Sequence, residues 1–374
     1  MKKFFRLAVG LLLSVALFSC SKDDDESEKN GQSVDALTYE YDALIINQGN
    51  YSESNGSVSL WKNNQVVNQV YENANGGEKL ASIIESAVDC GTSWALLCNN
   101  ADKIEWIDKA TFQSVGVLTG VTTPRYGVVK DGYLYVTSVT DWYGSDGKVY
   151  KINLTNKKIE VTIPVKGQPE GIIEDNGSLY VATAWAYNST TYSNDSTGVA
   201  IVPESDNTVT YCGDATVSGA VSRHIAKAAN GNIYLSVSSY YEGNKGLYQL
   251  SDNDGVKTLK NHIALEGLNY AGHIYIVDNT VYYLTTDNQY GGAGAADENN
   301  SVVAYNLENT TSTKVATGNG FYGFGVNPKT LEIYTANSEG FITNSIFYLY
   351  KDGSAVETGE QLAGVGACRF YFPN

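Results

Sequence analysis

A short strand cue recurs down this chain, most copies with Gly or Asn just ahead of it. The clear copies are Tyr133-Leu134-Tyr135-Val136, Ser178-Leu179-Tyr180-Val181, Asn232-Ile233-Tyr234-Leu235 and Thr280-Val281-Tyr282-Tyr283. Weaker copies are Leu331-Glu332-Ile333-Tyr334-Thr335 and Ser93-Trp94-Ala95-Leu96-Leu97. With Leu96, Tyr135, Tyr180, Tyr234, Tyr282 and Tyr334 taken as equivalent, the steps are 39, 45, 54, 48 and 52 residues. A seventh copy, Ala43-Leu44-Ile45-Ile46, ends 51 residues before Leu97. Periods of roughly 40–50 residues, each holding several strands, mark an all-β, seven-bladed β-propeller.

Most cues follow a second strand start. These are Pro124-Arg125-Tyr126-Gly127, Pro169-Glu170-Gly171, Ser222-Arg223-His224, Gly272-His273-Ile274 and Tyr322-Gly323-Phe324-Gly325. They read as innermost strands, where glycine lets backbones crowd near the axis. The first cue lacks such a partner, and the C-terminal Ala367-Cys368-Arg369-Phe370-Tyr371-Phe372 lacks a cue after it. The economical solution is a ring in which the last strand completes the first blade, protecting two edges at once. Leu80 to Val88 opens the second blade, and helical spacing outside the N-terminus is confined to Leu80–Ser86. With 37 Gly and 28 Tyr against 6 Pro and 1 Met, the composition is a strand-and-turn vocabulary. No composition break after about residue 35 suggests a second globular domain.

The first 19 residues read as a lipoprotein signal peptide: Lys2, Lys3 and Arg6 precede the apolar run Leu7–Phe18. At 12 residues that run is shorter than the ~20 that a membrane-spanning helix needs. Leu17-Phe18-Ser19-Cys20 resembles a bacterial lipobox, which implies a lipid anchor on Cys20. Residues 20–38 then form an acidic flexible linker. Its Ser21-Lys22-Asp23-Asp24-Asp25-Glu26 resembles the signal that sends Bacteroidetes lipoproteins to the outer face of the outer membrane. The propeller spans 39–374. The net charge is −16, and without Lys2, Lys3 and Arg6 it is −19. So acidic a surface argues against nucleic acid and against peripheral binding to anionic lipid.

Several segments resemble a Bacteroidetes family of propeller lipoproteins. They are Ile46-Asn47-Gln48-Gly49-Asn50, Asn55-Gly56-Ser57-Val58-Ser59, Asn75-Gly76-Gly77-Glu78-Lys79-Leu80, Lys103-Ile104-Glu105-Trp106-Ile107-Asp108 and Pro124-Arg125-Tyr126. That family is similar to the YncE and YVTN-type seven-bladed propellers and includes BtuG, a surface lipoprotein that captures cobalamin. The resemblance runs from about residue 40 to the end. It implies a cell-surface lipoprotein that captures cobalamin (vitamin B12) or a related corrinoid as ligand, not as catalytic cofactor. Delivery would be to a TonB-dependent outer-membrane transporter. A glycan-binding or protein-docking propeller is the alternative.

Motifs for chemistry are weak. Gly318-Asn319-Gly320-Phe321-Tyr322-Gly323 matches a phosphate-binding pattern but precedes Phe324-Gly325-Val326, which reads as strand rather than the required helix. Three histidines (His224, His262, His273) have no evident nucleophile beside them and cannot supply a His-rich metal cluster. Cys90, Cys98, Cys212 and Cys368 fit no zinc spacing, and their pairing stays open. The expectation is a non-enzyme with no metal.

Loops leading into innermost strands and loops following the cues open on one face of a propeller. The first set carries Arg125, Glu170, Arg223, His273, Tyr322 and Arg369, one from each of six blades. The arginines either hold an anionic ligand group or pair with Glu170 and plug the channel. The second set carries Tyr51, Trp142, Tyr143, Trp185, Tyr187, Tyr240, Tyr241 and Tyr290. Clustered aromatics rimmed by polar groups suit a large, flat, amphipathic ligand or a sugar. Cys20→Ala is expected to abolish lipidation, and radiolabelled palmitate persisting on the variant would refute the anchor.

Overall fold

The structure is a computed structural model of the chain. It describes residues 40–81, 83–141, 146–190, 193–214, 220–239, 245–253, 256–269, 271–286, 299–356 and 359–373. Cys20, the signal segment and the acidic linker lie outside the described residues.

Seven antiparallel sheets, each a blade, follow one another along the chain. Blade 2 is Ile84–Asp89, Ser93–Cys98, Lys103–Asp108 and Ser114–Thr119, innermost strand first. Blades 3 to 6 repeat this order from Pro124–Lys130, Gln168–Asp175, Ala220–Lys227 and Ile274–Val277. Blade 7 begins at Phe321–Val326, and its outer edge is split. Both Ser354–Ala355 and Gln361–Val365 pair with Asn344–Lys351. Every cue of the sequence repeat is the second strand of its blade.

Blade 1 closes the ring. Its innermost strand is the C-terminal Ala367–Tyr371, paired antiparallel with Ala43–Asn47 through Leu44↔Tyr371, Ile45↔Phe370 and Ile46↔Arg369. Ala367 and Phe370 are buried in the core shared with blade 7, and Cys368 packs into the core shared with blade 2. The Tyr371 hydroxyl accepts the Ala87 N–H of blade 2 at 3.0 Å, so this one strand touches both neighbours.

The remaining cores lie between successive blades, as expected where each sheet buries both faces. Trp61, Trp94 and Trp106 are all buried in these inter-blade cores. Near the axis backbones meet directly. A Cβ on Gly323 of blade 7 would lie 2.4 Å from the Cys368 backbone of blade 1, which explains the glycine. Hydroxyls on second strands fasten each blade to the inner edge of the next: Thr137 Oγ1 donates to the Glu170 carbonyl at 2.8 Å, and Ser236 Oγ to that of Gly272, just ahead of Ile274–Val277, at 2.6 Å.

Two local expectations need correction. The segment with helical spacing, Leu80–Ser86, is not helical: Ile84–Asp89 is a strand, and the short helix is Val70–Ala74. Pairing with Ser93–Cys98 decides the matter, since Ile84, Ala87 and Val88 are all buried between blades. The loop expected to carry Trp185 and Tyr187 is strand. Ser178–Asn188 runs for 11 residues, where the other second strands have 5 to 7. The run Val-Ala-Thr-Ala-Trp-Ala-Tyr stays strand-forming, and pairing with Ser193–Pro203 holds it to the tip.

Deleting residues 367–374 removes the closing strand and opens two edges. Several buried side chains at ~1.5–3 kcal/mol each rival a domain's net stability of roughly 5–15 kcal/mol. The truncated protein is expected to aggregate, and a native melting transition would show the tail to be peripheral.

Candidate functional site

Six of the seven innermost strands carry a register irregularity at matching places. It falls at Glu85 in blade 2, Arg125–Tyr126 in blade 3, Glu170–Gly171 in blade 4, Arg223 in blade 5, Tyr322 in blade 7 and Cys368 in blade 1. A β-bulge leaves a residue without a ladder partner and re-aims its side chain. In blades 2, 3, 4, 5 and 7 the bulge marks the residue that gathers at the axis, and in blade 1 it falls at Cys368, next to the axial Arg369.

Those side chains form one ionic network. The Arg125 guanidinium donates to both Glu170 oxygens, at 2.9 and 3.1 Å, and to Glu85 at 2.5 Å. Arg223 donates to the same Glu170 carboxylate. Arg369 donates to the Tyr126 hydroxyl at 2.6 Å, and that hydroxyl donates onward to Glu85 at 3.3 Å. The direct distance from Arg369 to Glu85 is 3.5 Å. Around the ring from blade 1 the order is therefore Arg369, Glu85, Arg125, Glu170, Arg223, His273, Tyr322. Basic and acidic groups alternate through five blades, and then two neutral ones follow.

Burial shapes the electrostatics. Glu170 is 1% exposed, whereas the Arg223 and Arg369 side chains keep 18% and 10% of their surface. Glu170 thus lies behind its guanidiniums, while Glu85, at 8%, is level with Arg125 and Arg369. Tyr126 is held well above the usual phenol range by burial, although Arg369 pulls the other way, so it is a neutral donor. His224 and His273 stack edge to face at 4.1 Å, and His224 meets the Tyr126 ring at 5.2 Å. Burial, reinforced by Arg369 and the other two arginines, pushes both imidazoles well below their usual value. They are neutral at pH 7. His224 Nε2 and His273 Nδ1 are buried without a hydrogen-bond partner, so neither nitrogen holds a nucleophile. His262 lies on an outer strand of blade 5, against the Lys245 carbonyl and the Tyr248 ring.

The structure brings together Arg125, Glu170, Arg223, His273, Tyr322 and Arg369, as the repeat predicted. Glu85 was missed. It stands one residue before Ser86 in a segment whose helical spacing hid its equivalence to Arg125 and Glu170. The aromatics do not gather in the same way. Trp185 is half-buried, edge-on to Tyr211 at 5.8 Å, in room that Gly213 leaves: a Cβ there would lie 2.7 Å from the indole. Trp185 thus packs within blade 4 instead of lying free on a loop. Tyr187 sits two residues further up the same strand, past Ala186, whose φ of 60° interrupts the pairing without shifting its register. Tyr51 is open, at 76% exposure. Trp142, Tyr143, Tyr240, Tyr241 and Tyr290 lie outside the described residues.

The cysteines are resolved: Cys90, Cys98, Cys212 and Cys368 are free thiols. Burial pushes Cys98 and Cys368 up to about 12 and Cys90 to about 11, so none is primed as a nucleophile. Among the described residues no three His, Cys, Asp or Glu side chains are grouped to hold a metal ion.

No protein-family model and no curated protein matches the sequence. Solved structures do. A putative 6-phosphogluconolactonase from Bacteroides fragilis superposes with a TM-score of 0.61 at 11% identity, covering 92% of this chain and 100% of that one. A quinonprotein alcohol dehydrogenase-like protein from Bacteroides thetaiotaomicron gives 0.59 at 13% identity, with 91% and 79% covered. Hydrazine synthase of Kuenenia stuttgartiensis gives 0.50 at 13%, with 69% and 73% covered. At such identities the likeness is one of fold.

The two imidazoles yield a pH prediction. Each is neutral in the folded protein but takes a proton below about 6.5 when unfolded. The unfolded state then binds more protons, so stability falls as pH drops below 6.5, by at most about 1.4 kcal/mol per pH unit for each imidazole. Urea unfolding at pH 7.0 and 5.5 should show this loss, reduced in His273→Gln. An equal loss in wild type and variant would refute it.

Proposed function

We propose that the protein is a non-catalytic capture propeller whose axial face binds a large amphipathic small molecule bearing an anionic group. Cobalamin or a related corrinoid is the ligand. Its corrin offers apolar faces and amides, and its nucleotide loop offers a phosphate. The resemblance of Ile46–Asn50, Asn55–Ser59 and Pro124–Tyr126 to propeller lipoproteins that include a cobalamin-capturing member supports this choice. In the same reading Cys20 carries the lipid anchor at the cell surface, and a TonB-dependent transporter receives the ligand.

One observation carries the reading. In a chain of net charge −16, the axis gathers three guanidiniums against two carboxylates among the described residues, and the most exposed of the five is Arg223. A local positive field in an acidic molecule selects for an anion. The neighbours' lactonase and dehydrogenase-like names belong to those proteins. Here the buried thiols and the imidazoles without a nucleophile favour binding over catalysis.

A second reading has its own observation. A cleft of about 420 Å³ at the same end, lined by Asn55, Ser57, Asn68, Gln69, Glu72 and Lys79, offers the dense polar contacts that a glycan would use.

After incubation with cyanocobalamin and desalting, the protein is expected to retain the corrin visible spectrum near one equivalent. Arg223→Gln should weaken binding by about tenfold, an effect shrinking as salt rises. A colourless protein fraction would overturn the corrinoid assignment, and hits on a glycan array would then favour the second reading.

A further inference from the structure

The two most exposed large apolar side chains among the described residues are Ile342, at 82%, and Tyr51, at 76%. Both lie in loops at the channel-mouth end, on adjacent blades 7 and 1, each between the second and third strands. The loops are tied together: Asn50 Nδ2 donates to the Phe341 carbonyl at 3.1 Å. The Phe341 ring meets Tyr322 edge to face at 4.7 Å. Tyr322 in turn occupies the bulge of blade 7, donates to Gln48 at 2.6 Å and feels the Arg369 charge. Tyr322 and Phe341 therefore stand between the axial arginines and the two tied loops that carry Ile342 and Tyr51.

The backbone of this loop is costly. Glu339, Gly340 and Phe341 have φ of 48°, 65° and 63°, three left-handed residues in succession, two of which carry side chains. Left-handed positions that carry a side chain are strained and collect at ligand clamps. The result of the conformation is a phenyl ring set against Tyr322 and an isoleucine left in water.

We propose that Tyr322, Phe341, Ile342 and Tyr51 seat the flat apolar body of a small molecule whose single anionic group reaches Arg369. This rests on the capture reading above and relocates the apolar anchor from the blade 3 and 4 tryptophans to blades 7 and 1. Charge complementarity fixes the class of occupant. Arg369 donates to the Tyr126 hydroxyl and the Cys368 carbonyl, and its approach to a carboxylate is 3.5 Å, to a Glu85 that Arg125 already holds at 2.5 Å, so its charge is less closely neutralised than that of Arg125 or Arg223.

The probe is 1-anilinonaphthalene-8-sulfonate, a flat apolar monoanion, with uncharged N-phenyl-1-naphthylamine as its counterpart. Fluorescence titration should show binding weakened by about tenfold in a Tyr51→Ser/Ile342→Ser variant that melts like wild type. Leu331→Ser alters an apolar residue of the same blade, 51% exposed, in the hairpin at the opposite end, and should change nothing. The uncharged probe should bind several-fold more weakly at low salt, with the gap closing at high salt. Equal binding by wild type and the double variant, or equal loss in Leu331→Ser, overturns the proposal. Displacement by cyanocobalamin unites this site with the corrinoid reading. Ridge-dependent probe binding that cyanocobalamin does not displace leaves the ridge standing and removes the corrinoid. Cyanocobalamin binding that ignores the double variant, with probe binding also unchanged, does the reverse.

Discussion

The closing pair of strands, Ala43–Asn47 with Ala367–Tyr371, is the constraint on which the rest depends. Seven sheets that pack only on their neighbours leave two raw faces and two raw edges unless the ends of the chain meet. Main-chain hydrogen bonds between residues more than 300 apart make that meeting specific, and Phe370 and Tyr371 carry it into the cores on either side. Such a long-range contact is slow to find. Once it forms, every blade has two neighbours and the axis has a fixed width.

A fixed axis allows charges to be buried where solvent would otherwise screen them. Taking ions out of water costs several kcal/mol each, and apolar replacements of such pairs are often neutral or stabilising. The Glu170 carboxylate, shared by Arg125 and Arg223, is therefore an expensive way to fill a channel. Removing one partner would strand the others at a cost of about 3–5 kcal/mol. Filling the channel does not hide every cation in this geometry: Glu170 and Arg125 are buried, while Arg223 keeps the most open guanidinium of the three.

Much of this was legible in the sequence, for an identifiable reason. The repeat of Tyr135, Tyr180, Tyr234 and Tyr282 has a period, and a period survives without knowledge of side-chain packing. It yielded the blade count, the closing strand and six of the seven axial residues. Glu85 escaped because Leu80–Ser86 has helical spacing, and only the partner strand Ser93–Cys98 decides between helix and strand. Trp185 was misplaced for a similar reason. A loop and a continuing strand share the alternation Ala-Trp-Ala-Tyr until Ser193–Pro203 supplies the pairing. Phe341 and Ile342 gave no signal, since neither the left-handed turn nor the exposure of an isoleucine is written in residue type.

The bulges at Glu85, Arg125, Glu170, Arg223 and Tyr322 have a bearing on how the sequence can vary. A residue outside the ladder can be exchanged without shifting any pairing on either side of it. Five blades thus offer one slot each whose chemistry is uncoupled from the strand that carries it. Propellers sharing barely a tenth of their residues with this one can keep the same frame and fill such slots differently. The frame is held by the pairing, and the residues in its slots are free to change.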